Sequence, residues 1–266
     1  MTFVAILLVA VAVGVVGSML GIGGGLMLVP ILTLFLGVPM KTAIGCSLVS
    51  VIATSSAAQI VYVGRGTTHT RLGMTLEVTT TLGALAGGVT AVLISGRVLQ
   101  GLFAAILVWA AYSMMGRGRD AEAALTGRLD TSFLTPDGAE VAYGVRHFPV
   151  GMAASFVAGN VSGLLGVGGG VVKVPVMNLV MRVPLRAAIA TSNFMIGVTA
   201  ATSAAVYFGR GLIEPRVAVP TALGILVGAQ VGPRVAARTP VARLRLIFQV
   251  VLVVLAVQMV WKAVSG

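Results

Sequence analysis

The stretch LGIGGGLMLVP, Leu20 to Pro30, occurs again as LGVGGGVVKVP, Leu165 to Pro175, with seven of its eleven positions identical. Both copies sit in apolar sequence where a continuous helix would otherwise be expected. Gly21, Gly23, Gly24 and Gly25 fall within five residues, and each costs roughly 1 kcal/mol against alanine in a helix interior. The chain is expected to break there, and again at Gly166, Gly168, Gly169 and Gly170. At membrane depth a break survives only where the freed backbone groups face protein or a watery cavity, so the two breaks mark the expected functional centre.

Composition supplies the membrane. Of 266 residues, 58% are hydrophobic and only 9% charged, with a mean hydropathy of +1.05. No water-soluble globule presents such a composition, so the fold class is all-α polytopic membrane protein. The 35 glycines suit close helix approach and broken helices. A net charge of +11 does not indicate nucleic acid, because the basic residues stand singly or in pairs between apolar runs and form no stripe with aromatics. They read as anchors at the lipid bilayer surface. Cys46, the single cysteine, excludes an internal disulfide. His69 and His147 are isolated loop residues, so no metal site and no cofactor are expected. Phe3 opens directly into apolar sequence without a basic segment or cleavage site, and residues 3–20 read as a retained first span.

After the first glycine break an apolar arm, Leu26 to Leu36, ends at Gly37-Val38-Pro39. Its eleven residues reach roughly 16 Å at about 1.5 Å each, half of a hydrocarbon core near 30 Å. Spans follow at Thr42–Val63, Gly73–Ser95 and Arg97–Met115. Residues 116–147 are a polar linker holding Asp120, Glu122, Asp130, Asp137 and Glu140, with a turn at Pro136-Asp137-Gly138. The organisation expected is therefore a first transmembrane repeat over 1–115, a linker over 116–147 on the cytoplasmic side, and a second repeat over 148–266.

The second half aligns to the first without a gap. Pro30 matches Pro175, Pro39 matches Pro184, Ser47 matches Ser192, YVGRG at 62–66 matches YFGRG at 207–211, and Phe103 matches Phe248. Such self-similarity marks a two-fold repeat of five plus five helical segments, a common build of secondary transporters. The Lys/Arg distribution tests its orientation. If each glycine element is a single span, the two sides carry nine and eight basic residues and show no bias. If each is a hairpin returning to its own side, the halves are inverted. One side then holds Arg65, Arg71, Arg117, Arg119, Arg128, Arg146, Arg182, Arg186, Arg234, Arg238, Arg243 and Arg245; the other holds Lys41, Arg97, Arg210, Arg216 and Lys262. Twelve against five obeys the positive-inside rule. Inverted glycine-broken hairpins, with both termini extracytoplasmic in the cell membrane, are the expected topology.

Inverted hairpins bring their tips together near the bilayer midplane, with the arms from Leu26 and Val171 pointing their N-terminal ends inward. Exposed N–H groups and the helix dipole there suit an anion, which nominates Gly23, Gly24, Gly25, Gly168, Gly169 and Gly170; tight helix packing alone is the plainer explanation of the glycines. Lys173 stands where the first copy has Leu28, and a charge at that depth costs at least about 2.5 kcal/mol. An anionic substrate would be its partner, or it snorkels to the interface. Hydroxyl and amide groups open the following spans: Cys46, Ser47, Ser50 and Thr54 in one half, Thr191, Ser192, Asn193 and Thr199 in the other. Ser47, Ser192 and Asn193 are candidate ligands of an oxyanion, with interhelical hydrogen bonding as the alternative. Asn160, Ser162 and Ser18 flank the tips. Glu77 has Ala222 as its counterpart and is a candidate carrier of a coupling proton. Arg65 and Arg210 read as interfacial anchors. Neither glycine run is a G-x-x-x-x-G-K-[ST] loop, and neither lies in a strand–helix alternation, so an enzyme is not expected.

The doubled L-G-x-G-G-G-x-x-x-V-P, each copy followed by V-P and a serine-bearing span ending in G-R-G, resembles the TauE/SafE family of sulfite exporters. The resemblance covers both halves outside the linker. It implies a proton-linked secondary transporter of sulfite, a sulfonate or another small organic anion, with binding roles at Gly23 to Gly25, Gly168 to Gly170, Ser47 and Ser192. Lys173 has no match in the first half. The expected function is export of a small sulfur-containing anion by alternating access around the two tips. Rival readings are an anion channel, an exporter of neutral or zwitterionic metabolites such as amino acids, and a membrane scaffold without transport.

Overall fold

A computed structural model describes residues 3–115, 129–135 and 139–265. The proposed turn at Pro136-Asp137-Gly138 and the linker acids Asp120, Glu122 and Asp137 lie outside the described residues. The chain forms α1 (Phe3–Leu20), α2 (Gly25–Leu34), α3 (Met40–Gly64), α4 (Thr70–Leu93), α5 (Gly96–Met115), β1 (Thr131–Leu134), β2 (Glu140–Tyr143), α6 (Phe148–Leu165), α7 (Gly170–Pro175), a π-helical segment Val176–Val180, α8 (Leu185–Gly209), α9 (Pro215–Arg238) and α10 (Val241–Ser265). Among the described residues six helices are long and apolar enough to cross a membrane: α1, α3, α4, α6, α8 and the Val241–Gln258 part of α10. The protein is an all-α polytopic membrane protein. Its large exposed side chains, Leu82, Val89, Val227 and Val254 among them, belong to helices whose outer faces suit lipid rather than water.

The glycine runs break the helix as expected. Gly21, Gly23 and Gly24 take φ of 74°, 78° and 71°, and Gly166, Gly168 and Gly169 repeat this with 71°, 73° and 74°. Side-chain-bearing L-residues rarely adopt such angles. The two arms then diverge. In the first copy α2 carries Pro30 within one ten-residue helix, whereas in the second α7 ends at Pro175 and the chain widens into the π-helical segment.

Contacts come in pairs related by exchange of the halves. Gly228 packs on Val11 and Gly232 on Val15, holding α9 against α1; the equivalent positions Gly83 and Gly87 pack on Phe156 and Asn160, holding α4 against α6. In each pair of helices the numbers rise together, so the partners run parallel. A methyl group at any of these glycines would overlap the neighbour's backbone, which is the close approach small residues permit. Each hairpin's first helix thus rests on the other half. In the centre α3 and α8 lie side by side: Ser55 Oγ donates to Asn193 O (2.6 Å) and Gln59 Nε2 to Ala190 O (3.1 Å). Here the numbers move in opposite senses, so α3 and α8 run antiparallel.

The linker departs from a purely irregular reading. Thr131 pairs with Tyr143 and Leu134 with Glu140 in an antiparallel β1–β2 ribbon. Phe133 and Tyr143 turn inward, edge to face at 6.1 Å, and Tyr143 meets His69 at 5.9 Å. Alternating burial of this kind is the ordinary strand signal, but four residues per strand among charges and turns left it below notice in the sequence.

Candidate functional site

The two glycine turns meet in the buried centre. A methyl group at Gly25 would strike the carbonyl oxygen of Gly166, and one at Gly170 that of Gly21. Gly23 and Gly168 both face Val51 and Ile196, which are themselves equivalent positions on α3 and α8. Ser192 Oγ donates to Gly21 O at 2.7 Å and Ser47 Oγ to Gly166 O at 2.9 Å. One rank further out, Tyr62 OH donates to Ser18 O at 3.0 Å and Tyr207 OH to Gly163 O at 3.1 Å. Each half therefore satisfies the carbonyls that the other half's broken helix leaves open. In this conformation the hydroxyls of Ser47 and Ser192 are engaged across the halves, in interhelical hydrogen bonds. The tyrosines went unremarked in the sequence, although their retention in both YVGRG and YFGRG was the available signal.

Lys173 lies one turn beyond the second glycine turn and is 3% exposed. Its Cε stands 3.5 Å from where a methyl on Gly169 would be. Its hydrogen-bond partners come from the protein: Nζ donates to Glu77 Oε2 at 3.3 Å and to Thr199 Oγ1 at 2.9 Å, while the Thr199 hydroxyl donates to Glu77 Oε1 at 2.6 Å. The closed triangle joins α7, α4 and α8. Glu77 is 8% exposed, deeper than its position near the start of a span suggested. The exchange-related triangle is Leu28, Ala222 and Thr54. Leu28 and Ala222 pack in one apolar cluster, and Thr54 Oγ1 turns to Gly23 O at 3.0 Å. The ion pair is where the two halves differ in charge at the centre.

The remaining candidates are spread around this core. Asn193 Nδ2 donates to Ser18 O and Ile189 O at 3.0 and 3.1 Å, leaving its Oδ1 buried without a partner among the described residues. Ser162 Oγ is likewise buried without one. Asn160 is half-buried with its backbone against Gly87 of α4, away from the meeting turns. Gly24 faces Ile225, Val13 and Thr54. Cys46 Sγ reaches Glu214 O, ahead of α9, at 3.6 Å, and Ser50 Oγ donates to Cys46 O within α3 at 3.3 Å. Thr191 Oγ1 accepts from the backbone of His69 at 3.0 Å. The described residues contain no group of three or more His, Cys, Asp or Glu that could hold a metal ion.

Meeting broken helices, a buried charge pair and, among the described residues, six long apolar helices define a polytopic membrane protein with a polar pair in its buried centre. The model of the family described as "Sulfite exporter TauE/SafE" matches residues 6–259, and the chain belongs to that family, which is a transporter family and not an enzymatic one. Relatives are similar along nearly their whole length. The "Probable membrane transporter protein YunE" of Bacillus subtilis (strain 168) is 27% identical over 273 residues, covering 99% of each chain. A "Probable membrane transporter protein" of Xylella fastidiosa (strain 9a5c) is 26% identical over 256 residues, covering 94% of this chain and 93% of its own. One from Methanocaldococcus jannaschii is 24% identical over 270 residues, covering 96% and 94%. No solved structure matches the chain.

Proposed function

We propose that the protein is a secondary transporter that exports a small sulfur-containing anion, such as sulfite or a sulfonate, by alternating access around the two glycine turns. The carrying observation is the buried Lys173, held one turn from the second glycine turn by Glu77 and Thr199. A buried ammonium satisfied by a carboxylate and a hydroxyl is chemically prepared for exchange. When Glu77 takes a proton, Lys173 is left with an uncompensated charge that an anion neutralises, so anion entry and proton uptake are linked. The α2 terminus supports the same polarity: among the described residues no backbone carbonyl accepts from the N–H groups of Gly25 and Leu26, and such groups attract anions.

The halves are inverted in this reading, with the linker cytoplasmic and both termini extracytoplasmic in the cell membrane. The antiparallel passage of the equivalent helices α3 and α8 supports it, because an axis relating them lies across the helices and therefore in the bilayer plane. The Lys/Arg bias points the same way. Purified protein in liposomes tests the function. Sulfite or sulfonate flux above that of empty vesicles, increased by a proton gradient, is expected; flux equal to empty vesicles with every such anion would refute it.

A further inference from the structure

Outside the central site, the chain forms an open-mouthed cavity of about 340 Å³ against the linker. Ligand pockets span about 300–1,000 Å³, so the size suits a small solute. Three guanidinium-bearing side chains line it, Arg65 at the end of α3, Arg186 near the start of α8 and Arg238 at the end of α9, and among the described residues no carboxylate does. Arg186 uses two donors on the C-terminal end of α9, Ala237 O at 2.7 Å and Thr239 O at 3.0 Å, and Arg65 uses one on Pro233 O at 3.4 Å. A guanidinium has five donors, so these bonds position the groups while leaving donors over. The floor is formed by Tyr62 and Ile189. Tyr62 holds Ser18 O, and the backbone of Ile189 backs Gly21, so the cavity ends on the outer wall of the first glycine turn. The roof is Phe133 and Leu134 of β1 with Thr135 just after it.

Exchange of the halves shows that this cluster exceeds what packing needs. The counterparts of Arg65, Arg186 and Arg238 are Arg210, Lys41 and Leu93. Lys41 Nζ makes the equivalent helix-end bond alone, to Val92 O at 2.7 Å, so one donor is enough to hold that helix end. The third cation, the forked group at 186 and the roof are confined to the linker side.

We propose that this cavity is an oxyanion antechamber, in which Arg65, Arg186 and Arg238 hold a small sulfonate- or sulfate-like anion beside the first glycine turn and beneath β1. Its place on a transport route rests on the function proposed above; its binding chemistry does not. Planar, forked guanidinium groups match the oxygens of such anions.

The test uses full-length protein in a neutral detergent, with thermal stabilisation titrated by sodium sulfate and sodium methanesulfonate against chloride of equal ionic strength. The double variant Arg65→Gln/Arg238→Gln is expected to weaken apparent affinity at least tenfold, and the exchange-related control Lys41→Gln/Arg210→Gln by less than twofold. Ala237→Phe, which fills the cavity and keeps every charge, is expected to lose binding in the same way and serves if the double variant fails to fold. Wild-type affinity in both Arg65→Gln/Arg238→Gln and Ala237→Phe would overturn the proposal. So would stabilisation by phosphatidylglycerol mixed micelles with no response to either soluble anion, which would give the arginines to a lipid headgroup. If liposome flux is at background while soluble-anion binding still depends on Arg65 and Arg238, the export reading fails and the antechamber stands.

Discussion

At the scale of single residues the centre is governed by one asymmetry. Where the first half has Leu28 the second has Lys173, and where the second half has Ala222 the first has Glu77. The two departures from the repeat meet at 3.3 Å, and each removes the other's cost. Lys173→Met alone strands a buried carboxylate, and breaking a buried pair costs about 3–5 kcal/mol. The Lys173→Met/Glu77→Gln variant is expected to regain most of that in detergent melting while anion flux stays at background. Recovery of flux in the double variant would reduce the pair to a structural role. The glycines give a second residue-scale expectation. Gly168 has φ of 73° and a methyl there would stand 2.7 Å from Val51 Cγ1, whereas Gly209 has open space around it. Gly168→Ala is expected to destabilise by at least the roughly 1–2 kcal/mol of left-handed strain, and Gly209→Ala to leave the melting temperature unchanged or raise it.

At the scale of elements, the linker ribbon is held to the helices by the packing of Phe133 and Tyr143 against Leu72 and Met181 and by one imidazole. His69 caps α4, its Nδ1 accepting from Leu72 N at 3.3 Å, and its Nε2 meets Leu129 O at 2.9 Å. A nitrogen that accepts a backbone N–H carries no proton, so the ring is neutral with its hydrogen on Nε2. Burial, aided by the Arg71 charge, pushes the His69 pKa below its ordinary 6.5, against smaller upward contributions from backbone hydrogen bonds. The sign follows: the contribution to stability is complete above 6.5 and shrinks as pH falls toward the lower folded value, because the unfolded chain takes the proton first. Amide exchange in β1 and β2 is therefore expected to quicken between pH 7 and pH 5 in the wild type. His69→Gln, whose side chain does not titrate in that window, is expected to remove the pH dependence once intrinsic exchange rates are corrected. A wild-type profile as flat as the variant's would contradict the fastening.

At the scale of the whole molecule, exchange of contacts between halves makes neither half self-sufficient, since α1 rests on α9 and α6 on α4. The inverted arrangement proposed above predicts that Arg65→Cys and Arg210→Cys, equivalent positions each placed in a Cys46→Ala background, react with an impermeant maleimide from opposite faces of the membrane. Reaction from the same face would make the halves parallel and end the proposed alternating-access scheme.

What the sequence determined alone was the architecture: apolar length, two helix-breaking glycine runs and a gapless repeat are local or periodic properties, and they specify membrane helices and breaks whatever the packing. The glycine turns were legible because φ preference belongs to the residue itself. The pairing of Lys173 with Glu77 was not, because 96 residues separate them and only the packing of α4, α7 and α8 brings them together. Nor was the engagement of Ser47 and Ser192 by the opposite half's carbonyls, nor the gathering of Arg65, Arg186 and Arg238 around one cavity. Each depends on which helix faces which, and that was decided by backbone approach at Gly83, Gly87, Gly228 and Gly232, a choice made only when the tertiary structure forms.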